Sequence, residues 1–550
     1  MDFSGLKGKF RGEIQDSEDI LKTYSRDTSL FEVIPEVVAF PKDAEDIKTL
    51  IQFVTKQKQE YPNEQISLTA RAAGTDMSGG PLTESIVVDV MRHLNHIREV
   101  GDGYATAEPG VYYRDFEKAT LEKGQIMPSY PASKDICAIG GMIANNAGGE
   151  KSLVYGKTQN YVPSLTVVLS DGNEYVLKPL TKSELETKIS ADHFEGRIYG
   201  ELFKLIAEHH DRIQMARPKV SKNSSGYNLW DVWDREKEIF DITKLFVGSQ
   251  GTLGIITEAT LGLVKVKPAQ QLLVIFVRDL QTLPQLISTV LKHHPENFEL
   301  YDDKTLGFVF HLLPSFVGRV GAKNVLELAW EFLPEVKMML TGGLPKLILL
   351  AEFTGESEGE VMAQALATQK DLGAFHDKTR IPKDEMEARK YWTIRHEAFN
   401  ILRSHTSKKK TVPVVDDIVV VPQKLPEFLP KLYGILDEYK EYMTYALGGH
   451  IGEGNFHVYS ILDLGDEKAR NIIPEVADRV YDLVLQYGGS ITGEHNDGII
   501  RTPYLEKQFG KEMCRLFEKT KQIFDPLNIF NPGKKVGGTL EYAIQHIRTS

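Results

Sequence analysis

Three glycine-rich segments in the first half of this 550-residue chain constrain its fold more than any other feature. They lie at residues 71–80, 139–149 and 248–256. Because glycine permits unusual backbone dihedrals and close approach, each segment can bring several backbone N–H groups against a ligand such as a cofactor pyrophosphate. One such segment alone is more often an ordinary turn. Three of them together favour a bound cofactor.

The familiar nucleotide-binding motifs are absent from the sequence. Gly248, Gly251 and Gly254 do not match the G-x-G-x-x-G fingerprint. The Gly-Lys-Thr run at 156–158 lacks the upstream glycine of a P-loop, since position 151 is a lysine. These differences disfavour nicotinamide dinucleotides and ATP as the cofactor.

The hydrophobic pattern predicts two large domains and a C-terminal segment. In the first half, strands alternate with helices, including a helix that begins after Asp43 and runs to about Lys56. After Pro268 the pattern changes to longer amphipathic helices and widely spaced strands. We expect domains at 1–268 and 269–503, helical insertions at 182–217 and 312–345, and a helical segment at 504–550 that returns to the first domain. The predicted strands of the first half are Val37–Phe40, Ile66–Arg71, Ile86–Val90 and Tyr104–Ala107.

Composition argues against several classes of protein. A net charge of −12 and a pI near 5.8 disfavour a general nucleic-acid binder, which needs clustered cations to displace counterions. The two cysteines, Cys137 and Cys514, are too few for a disulfide framework or a protein-ligated iron–sulfur cluster. The first residues do not resemble a signal peptide, and no apolar stretch approaches the span of a bilayer. We therefore expect a cytoplasmic protein.

The second half contains two motifs rich in histidine and carboxylate. A glycine-rich bend between two apolar stretches, at 448–458, would bring His450 and His457 together. The segment 489–498 adds Glu494 and His495. Two histidines and a glutamate can hold zinc, manganese or iron and leave positions open for a substrate. Taken alone, His457 is better explained as a polar residue of a sheet. Glu494 and His495 would face opposite ways on a regular strand, so a shared site requires irregular backbone.

Together these segments resemble the FAD-binding oxidoreductases of the vanillyl-alcohol oxidase and p-cresol methylhydroxylase superfamily. The histidine motifs are similar to those of its metal-dependent D-2-hydroxy-acid dehydrogenases, which read H-x-G-D-G-N-x-H and G-E-H-G. This chain has Glu453 for the aspartate and Asn496 for the last glycine. The resemblance extends from about residue 30 to 536. It implies an α+β or α/β fold, with a two-subdomain FAD-binding domain, an antiparallel-sheet substrate domain with helices, and a C-terminal segment that returns to the FAD domain.

The resemblance also implies site residues. His450, His457 and Glu494 would bind the divalent metal, and His495 would be the base. Noncovalent FAD is expected, because Thr75 and Asp76 stand where covalent members have a histidine. The residues implied to bind FAD are Ala73, Gly74, Thr75, Asp76, Met77, Ser78, Gly140, Gly141, Asn146, Gly148, Gly149, Gly254, Ile255, Ile256 and Asn531. The residues implied to bind substrate are Arg395, Asn455 and Lys410, with Lys409 as an alternative to Lys410.

The implied reaction is oxidation of a D-2-hydroxy acid of the D-lactate, D-2-hydroxyglutarate or glycolate class, with hydride transfer to the flavin. Electrons would pass to a separate acceptor, such as an iron–sulfur protein, an electron-transfer flavoprotein or a quinone. Through such a partner the protein could lie at the inner face of the membrane, and a homodimer is compatible with the sequence. The alternatives are an oxygen-using oxidase, a non-redox flavin-dependent transferase of the alkyl-ether-lipid synthase type, and a cofactor-binding protein that has lost catalysis.

Overall fold

The computed structural model describes residues 4–6, 8–311, 344–405 and 410–549. The helices predicted at 182–217 are present, whereas 312–343, most of the other predicted insertion, lies outside the described residues. Lys409 also lies outside them. Within these ranges, no helix combines the length and apolar character needed to cross a bilayer.

The described residues form twenty-two strands. They are β1 (Glu13–Gln15), β2 (Val37–Phe40), β3 (Leu68–Arg71), β4 (Ile86–Asp89), β5 (Ile97–Val100), β6 (Tyr104–Ala107), β7 (Gln125–Ile126), β8 (Ser164–Val168), β9 (Glu174–Leu177), β10 (Leu180–Thr181), β11 (Trp233–Asp234), β12 (Ile239–Phe240), β13 (Ile255–Gly262), β14 (Val264–Lys265), β15 (Ala269–Val277), β16 (Asn297–Asp302), β17 (Leu347–Gly355), β18 (Lys378–Arg380), β19 (Lys410–Val412), β20 (Ile418–Val419), β21 (Met443–His450) and β22 (Asn455–Leu462).

Helices cover these sheets and connect their strands. They are α1 (Glu18–Tyr24), α2 (Ala44–Glu60), α3 (Tyr113–Leu121), α4 (Ile139–Asn145), α5 (Ser152–Tyr155), α6 (Lys182–Ser190), α7 (Phe194–Ala216), α8 (Thr243–Phe246), α9 (Leu283–Leu291), α10 (Asp303–His311), α11 (Glu358–Leu372), α12 (Glu385–His405), α13 (Leu425–Asp437), α14 (Glu467–Gln486), α15 (Gly498–Arg501), α16 (Leu505–Phe524) and α17 (Leu540–Gln545).

Two main sheets form the first half. In the order β1-β2-β4-β3, strand β4 pairs in parallel with β2 and β3. All residues of β2 and β4 are buried, as expected for parallel strands covered on both faces. The second sheet, β5-β6-β13-β8-β9, is antiparallel throughout. The side chain of Asp43 caps α2 by accepting from the N–H groups of Glu45 and Asp46, which fixes the predicted start of that helix.

One antiparallel sheet of eight strands dominates the second half. Its order is β18-β15-β17-β16-β21-β22-β19, and β20 also pairs with β22. Apolar side chains from this sheet pack against α9, α11, α13 and α14 in one continuous core. This arrangement leaves the ends of β16, β21 and β22 close to the first half.

The C-terminal segment returns to the first half, as expected. Met513, Leu516 and Phe517 of α16 share a hydrophobic core with Leu202 and Leu205 of α7. Further along the segment, the backbone around residue 530 forms a parallel bridge with β3. This segment therefore contacts both α7 and β3 of the first half.

Candidate functional site

A cavity of about 750 Å³ lies between the glycine-rich segments and the second half. The first half contributes wall residues from 70–77, 130–150 and 249–256, and the second half contributes residues between 395 and 495. Gly148 marks where the two halves meet, because a Cβ built on it would be 3.1 Å from Oε1 of Glu494. One cavity therefore joins the predicted cofactor segments to the histidine cluster.

Most of the predicted cofactor residues line this cavity. Gly141, in α4, faces it, and a Cβ built there would meet only the methyl group of Ala72, at 3.6 Å. The missing side chain therefore leaves space for a ligand. The predicted residues in the wall are Ala73, Gly74, Thr75, Asp76, Met77, Gly140, Gly141, Gly148, Gly149, Gly254 and Ile256.

Four predicted cofactor residues are not part of the wall, and two of them, Ser78 and Asn531, support the glycine-rich segments. Ser78 donates from its backbone N–H and its hydroxyl to Oδ2 of Asp76, at 3.0 and 2.8 Å. Asn531 donates from Nδ2 to the carbonyl oxygens of Gly80 and Gln250, at 2.9 and 2.7 Å, and so holds two of the glycine-rich segments together. The four are Ser78, Asn146, Ile255 and Asn531.

His450 and His457 are brought together by a tight turn between β21 and β22. Strand β21 ends at His450 and is followed by a 3-10 turn at Ile451–Glu453. Gly454 completes the turn with φ of +67°, and a Cβ there would clash with the carbonyl oxygen of Val420. The two imidazole centroids are 5.3 Å apart. The structure thus contains the glycine bend that the sequence predicts.

Glu494 and His495 face one site because the backbone turns around the carboxylate of Asp417. Oδ2 of Asp417 accepts from the backbone N–H of Glu494 at 2.7 Å and of His495 at 2.8 Å. It also accepts from the hydroxyl of Thr492 at 2.6 Å. Asn496 then adopts φ of +65°, in the left-handed region. Here is the irregular backbone that two adjacent site residues require.

The imidazoles and the carboxylate form a buried set of metal-ligand types. Nε2 of His450 is 3.3 Å from Oε1 of Glu494, and Nε2 of His457 is 4.0 Å from Oε2. One ligand atom from each of the three residues lies within 4.8 Å of the others. Among the described residues, a second such group combines Asp417, His457 and His495. The first set has the donor chemistry of a zinc, manganese or iron site.

In both His450 and His457, the ring nitrogen Nδ1 has a hydrogen-bond partner in the protein. Nδ1 of His450 is 2.5 Å from Oε1 of Glu299, and Nδ1 of His457 is 2.8 Å from the carbonyl oxygen of Asp416. Burial alone would raise the pKa of Glu299, but the charges of His450 and Arg395 lower it to about 2. These contacts favour a proton on Nδ1 and leave Nε2 of each ring to face Glu494.

A buried lysine from the first half faces the same carboxylate. Nζ of Lys222 is 2.5 Å from Oε1 of Glu494 and 2.6 Å from Oε2 of Glu453. Burial alone would lower the pKa of Lys222, but the two carboxylates raise it above its usual value. Glu453, which replaces the aspartate of the related motif, therefore takes part in neutralising Lys222.

His495 lines the cavity and contacts a carboxylate. Its Nδ1 is 2.7 Å from Oδ2 of Asp416, and its ring stacks on that of His457 with centroids 5.1 Å apart. Burial alone would lower the pKa of His495, but the charges of Asp416 and Asp417 raise it to about 9. These carboxylates therefore stabilise the protonated form of this imidazole.

Arg395 also lines the cavity, where its guanidinium already has protein partners. Nη2 and Nε lie 2.8 and 3.0 Å from Oε2 of Glu299, and Nη1 donates to the hydroxyl of Tyr459 at 3.1 Å. Through Glu299, this guanidinium is connected to His450. A substrate carboxylate would therefore meet an arginine that is already fixed in orientation.

The other two predicted substrate residues are Asn455, which lies outside the cavity wall, and Lys410, whose side chain is not described. Asn455 is fully buried and is not in the cavity wall, because its Nδ2 donates to Oδ1 of Asp417 at 2.9 Å and to the carbonyl oxygen of Ile418 at 3.2 Å. Its contact with Asp417 makes it a support of the turn, and its role toward a substrate stays a prediction. Lys410 begins β19, and its side chain lies outside what the structure describes.

Sequence reasoning did not identify Glu299, Lys222 or the contact of Asp416 with His495. Glu299 could have been found, because a carboxylate within the fully buried strand β16 needs a partner. No local pattern indicates a role for Lys222, because its partners lie more than two hundred positions away.

Two protein families match this chain. The family described as FAD binding domain matches residues 35–178, and the one described as FAD linked oxidases, C-terminal domain, matches residues 266–535. The D-2-hydroxyglutarate dehydrogenase of Escherichia coli (strain K12) is 26% identical over 539 residues, which cover 96% of this chain and 50% of that protein. The glycolate oxidase subunit GlcD of Bacillus subtilis (strain 168) is 27% identical over 519 residues, covering 93% of this chain and 91% of that protein. The chain thus spans about half the length of the first of these relatives.

The fold matches that of a solved flavoenzyme. The structure of p-cresol methylhydroxylase with substrate bound aligns with a TM-score of 0.66 at 14% identity, covering 96% of this chain and 94% of that one. At this identity the likeness shows the fold alone. Together with the two family matches, it confirms the predicted arrangement of a FAD-binding domain and a second domain.

Proposed function

Since the chain belongs to the FAD-linked oxidases, we propose that it is a dehydrogenase that oxidises a D-2-hydroxy acid to the 2-oxo acid. The observation that carries this proposal is the single cavity in which the glycine-rich segments face His450, His457, Glu494 and His495. A hydride acceptor, a metal and a base are the three components that such an oxidation needs. The relatives named above suggest the D-2-hydroxyglutarate, glycolate or D-lactate class of substrate.

The residues present fit both bound groups. Gly141 and its neighbouring glycines leave backbone exposed to a ligand in the cavity. His450, His457 and Glu494 offer two imidazole nitrogens and a carboxylate to a divalent cation. When bound, FAD supplies an acceptor for a hydride, and the cation supplies a Lewis acid that lowers the pKa of the substrate hydroxyl.

The chain's own residues then orient the substrate and move a proton. Arg395, fixed by Glu299 and Tyr459, binds a carboxylate at the cavity wall. His495 accepts the hydroxyl proton on Nε2, while Asp416 faces Nδ1 and stabilises the resulting charge. Burial of the cluster keeps bulk water away from these charges, which strengthens their interactions.

We further propose that the electrons leave this chain for a separate acceptor. Two cysteines cannot supply the four thiolates that a protein-bound iron–sulfur cluster commonly requires. An iron–sulfur protein, an electron-transfer flavoprotein and a quinone are the acceptor classes to test. Oxygen is the fourth, and rapid reoxidation in air would identify an oxidase.

An anaerobic titration tests the reaction. The purified, metal-loaded protein is mixed with D- and L-2-hydroxy acids while the absorbance of oxidised flavin is followed. We expect a D-acid to bleach the flavin and its L-enantiomer to leave it oxidised, because the arginine, the metal site and the base define one handed arrangement. Chelation of the metal should abolish bleaching, and its replacement should restore it. A flavin that none of the acids bleaches would contradict the dehydrogenase and favour a non-redox transferase.

Substitution of Gly141 tests where the flavin binds. Gly141→Val should weaken FAD binding by about tenfold or more, because filling a packed space typically costs about 1–3 kcal/mol. FAD content after gel filtration and the thermal unfolding midpoint are the measurements. Gly200→Val is the matched control, since a Cβ at this position in α7 meets only Cγ2 of Ile189, at 3.5 Å, and lies away from the cavity. Equal FAD content in both variants would place the flavin elsewhere.

A further inference from the structure

One residue, Asp416, contacts both His457 and His495. Its carbonyl oxygen is 2.8 Å from Nδ1 of His457, and its carboxylate oxygen Oδ2 is 2.7 Å from Nδ1 of His495. Asp416 is 2% exposed and lines the cavity. The main chain of this residue therefore orients a candidate metal ligand, and its side chain orients the candidate base.

A buried arginine fixes the carboxylate of Asp416 from the other side. Nη2 of Arg501 donates to Oδ1 of Asp416, and Nη1 donates to the carbonyl oxygen of Asn496 at 3.0 Å. Arg501 is fully buried. Oδ1 of Asp416 faces the Arg501 guanidinium and Oδ2 faces Nδ1 of His495, the arrangement expected for a carboxylate. An anion held on both oxygens has one orientation toward His495.

We propose that Asp416 is the positioning residue of His495, an inference that rests on the proposed function. Its carboxylate keeps a proton on Nδ1, so that the lone pair of Nε2 is available to the substrate. In the proposed reaction the hydroxyl O–H bond breaks and its proton passes to Nε2. The C2–H bond breaks as well, and its hydrogen leaves with the electron pair for the flavin. Asp416 takes no proton and stabilises the imidazolium.

The variant Asp416→Asn separates this role from metal binding. The carbonyl contact to His457 remains, so metal content should not change. The new amide must turn its NH₂ group toward either Arg501 or the Nδ1–H of His495, which opposes two donors. We expect the limiting rate of flavin reduction to fall by about 100-fold or more, as for loss of base catalysis, with the substrate dissociation constant unchanged. Asp416→Glu should recover part of the rate.

A double variant distinguishes positioning from general structural damage. If Asp416 acts only through the imidazole, His495→Ala combined with Asp416→Asn should reduce flavin no more slowly than His495→Ala alone. A further loss of rate in the double variant would overturn the proposal. Asp302→Asn is the control for removing a buried carboxylate, because Asp302 is fully buried in β16, accepts from the backbone N–H of Leu447 and is not in the cavity wall.

A measurement without substrate keeps this inference separate from the proposed function. In the zinc-loaded, FAD-containing protein with ¹⁵N-labelled histidine, the ring signals of His495 are assigned by comparison with His495→Gln. The pH is raised until the His495 ring signals stop shifting, so that the neutral ring is observed. We expect a proton on Nδ1 and a free Nε2 in this neutral wild-type ring, and loss of this preference in Asp416→Asn. A proton on Nε2 of the neutral wild-type ring would overturn the inference. If no hydroxy acid reduces the flavin but the proton is on Nδ1, the proposed function fails and the positioning role stands.

Discussion

The variant His495→Ala is expected to reduce its flavin about 10²- to 10⁴-fold more slowly than the wild type with the same D-2-hydroxy acid, the range typical of a lost general base. The physical reason is the position of the imidazole, which lines the cavity while Asp416 faces its Nδ1. Without it, the hydroxyl proton has no acceptor held in place. Stopped-flow absorbance under anaerobic conditions measures the limiting rate and the substrate dissociation constant separately.

The matched control for this substitution is His96→Ala. Nδ1 of His96 is 2.7 Å from Oε2 of Glu108, which repeats the imidazole–carboxylate contact of His495 outside the cavity wall. This control should reduce flavin at the wild-type rate. If His495→Ala also keeps the wild-type rate while retaining FAD and metal, another group takes the proton and the assigned base is wrong.

The variant His457→Gln is expected to lose its metal while keeping FAD. Burial and the nearby charges of His495 and His450 lower the pKa of His457 to about 4, so the ring is neutral and its replacement by an amide leaves no unpaired buried charge. Metal affinity should fall by at least about 100-fold, because even outer partners of metal ligands typically contribute 10- to 100-fold. Elemental analysis after dialysis against graded chelator gives the affinity, and flavin reduction should fall with metal content.

A second histidine substitution controls for the change of side chain. Nε2 of His293 lies 3.0 Å from Oδ2 of Asp371, away from the cavity, so His293→Gln should retain metal and activity. Glu494→Gln is a less direct test, since it removes one of the two carboxylates that neutralise Lys222. Full metal content in His457→Gln would exclude His457 as a ligand.

Local patterns predicted much of the first half. The strands Val37–Phe40 and Tyr104–Ala107 have the predicted bounds, because turn residues mark each end of these short buried runs. The helix after Asp43 begins where the cap predicts, but it extends beyond Lys56 to Glu60. After Pro268, where longer helices are expected, a 3-10 turn at Leu280–Thr282 precedes a helix of nine residues at Leu283–Leu291. Helix ends depend on weak local preferences that neighbouring contacts override.

The site was predictable only in part, for a reason of distance along the chain. His450 and His457 are joined by a local glycine turn, so their proximity follows from nearby sequence. Glu299 and Lys222 reach His450 and Glu494 across separations of 151 and 272 positions, where no periodicity connects them. Membership of the motif also does not guarantee a place in the cavity wall. Asn455 lies inside the motif, yet its side chain donates to Asp417 and is not in the wall.

The ion pair between Lys222 and Glu494 has a consequence for how substrate enters and product leaves. It joins the FAD-binding domain to the second domain, so separating the two would break a buried, charge-assisted contact. Nζ of Lys535 adds a second fully buried pair with Oδ2 of Asp497, at 2.8 Å. A wide hinge opening would break both contacts at every turnover. We therefore expect exchange with solvent to take place through the mouth of the cavity, with the two domains moving as one body.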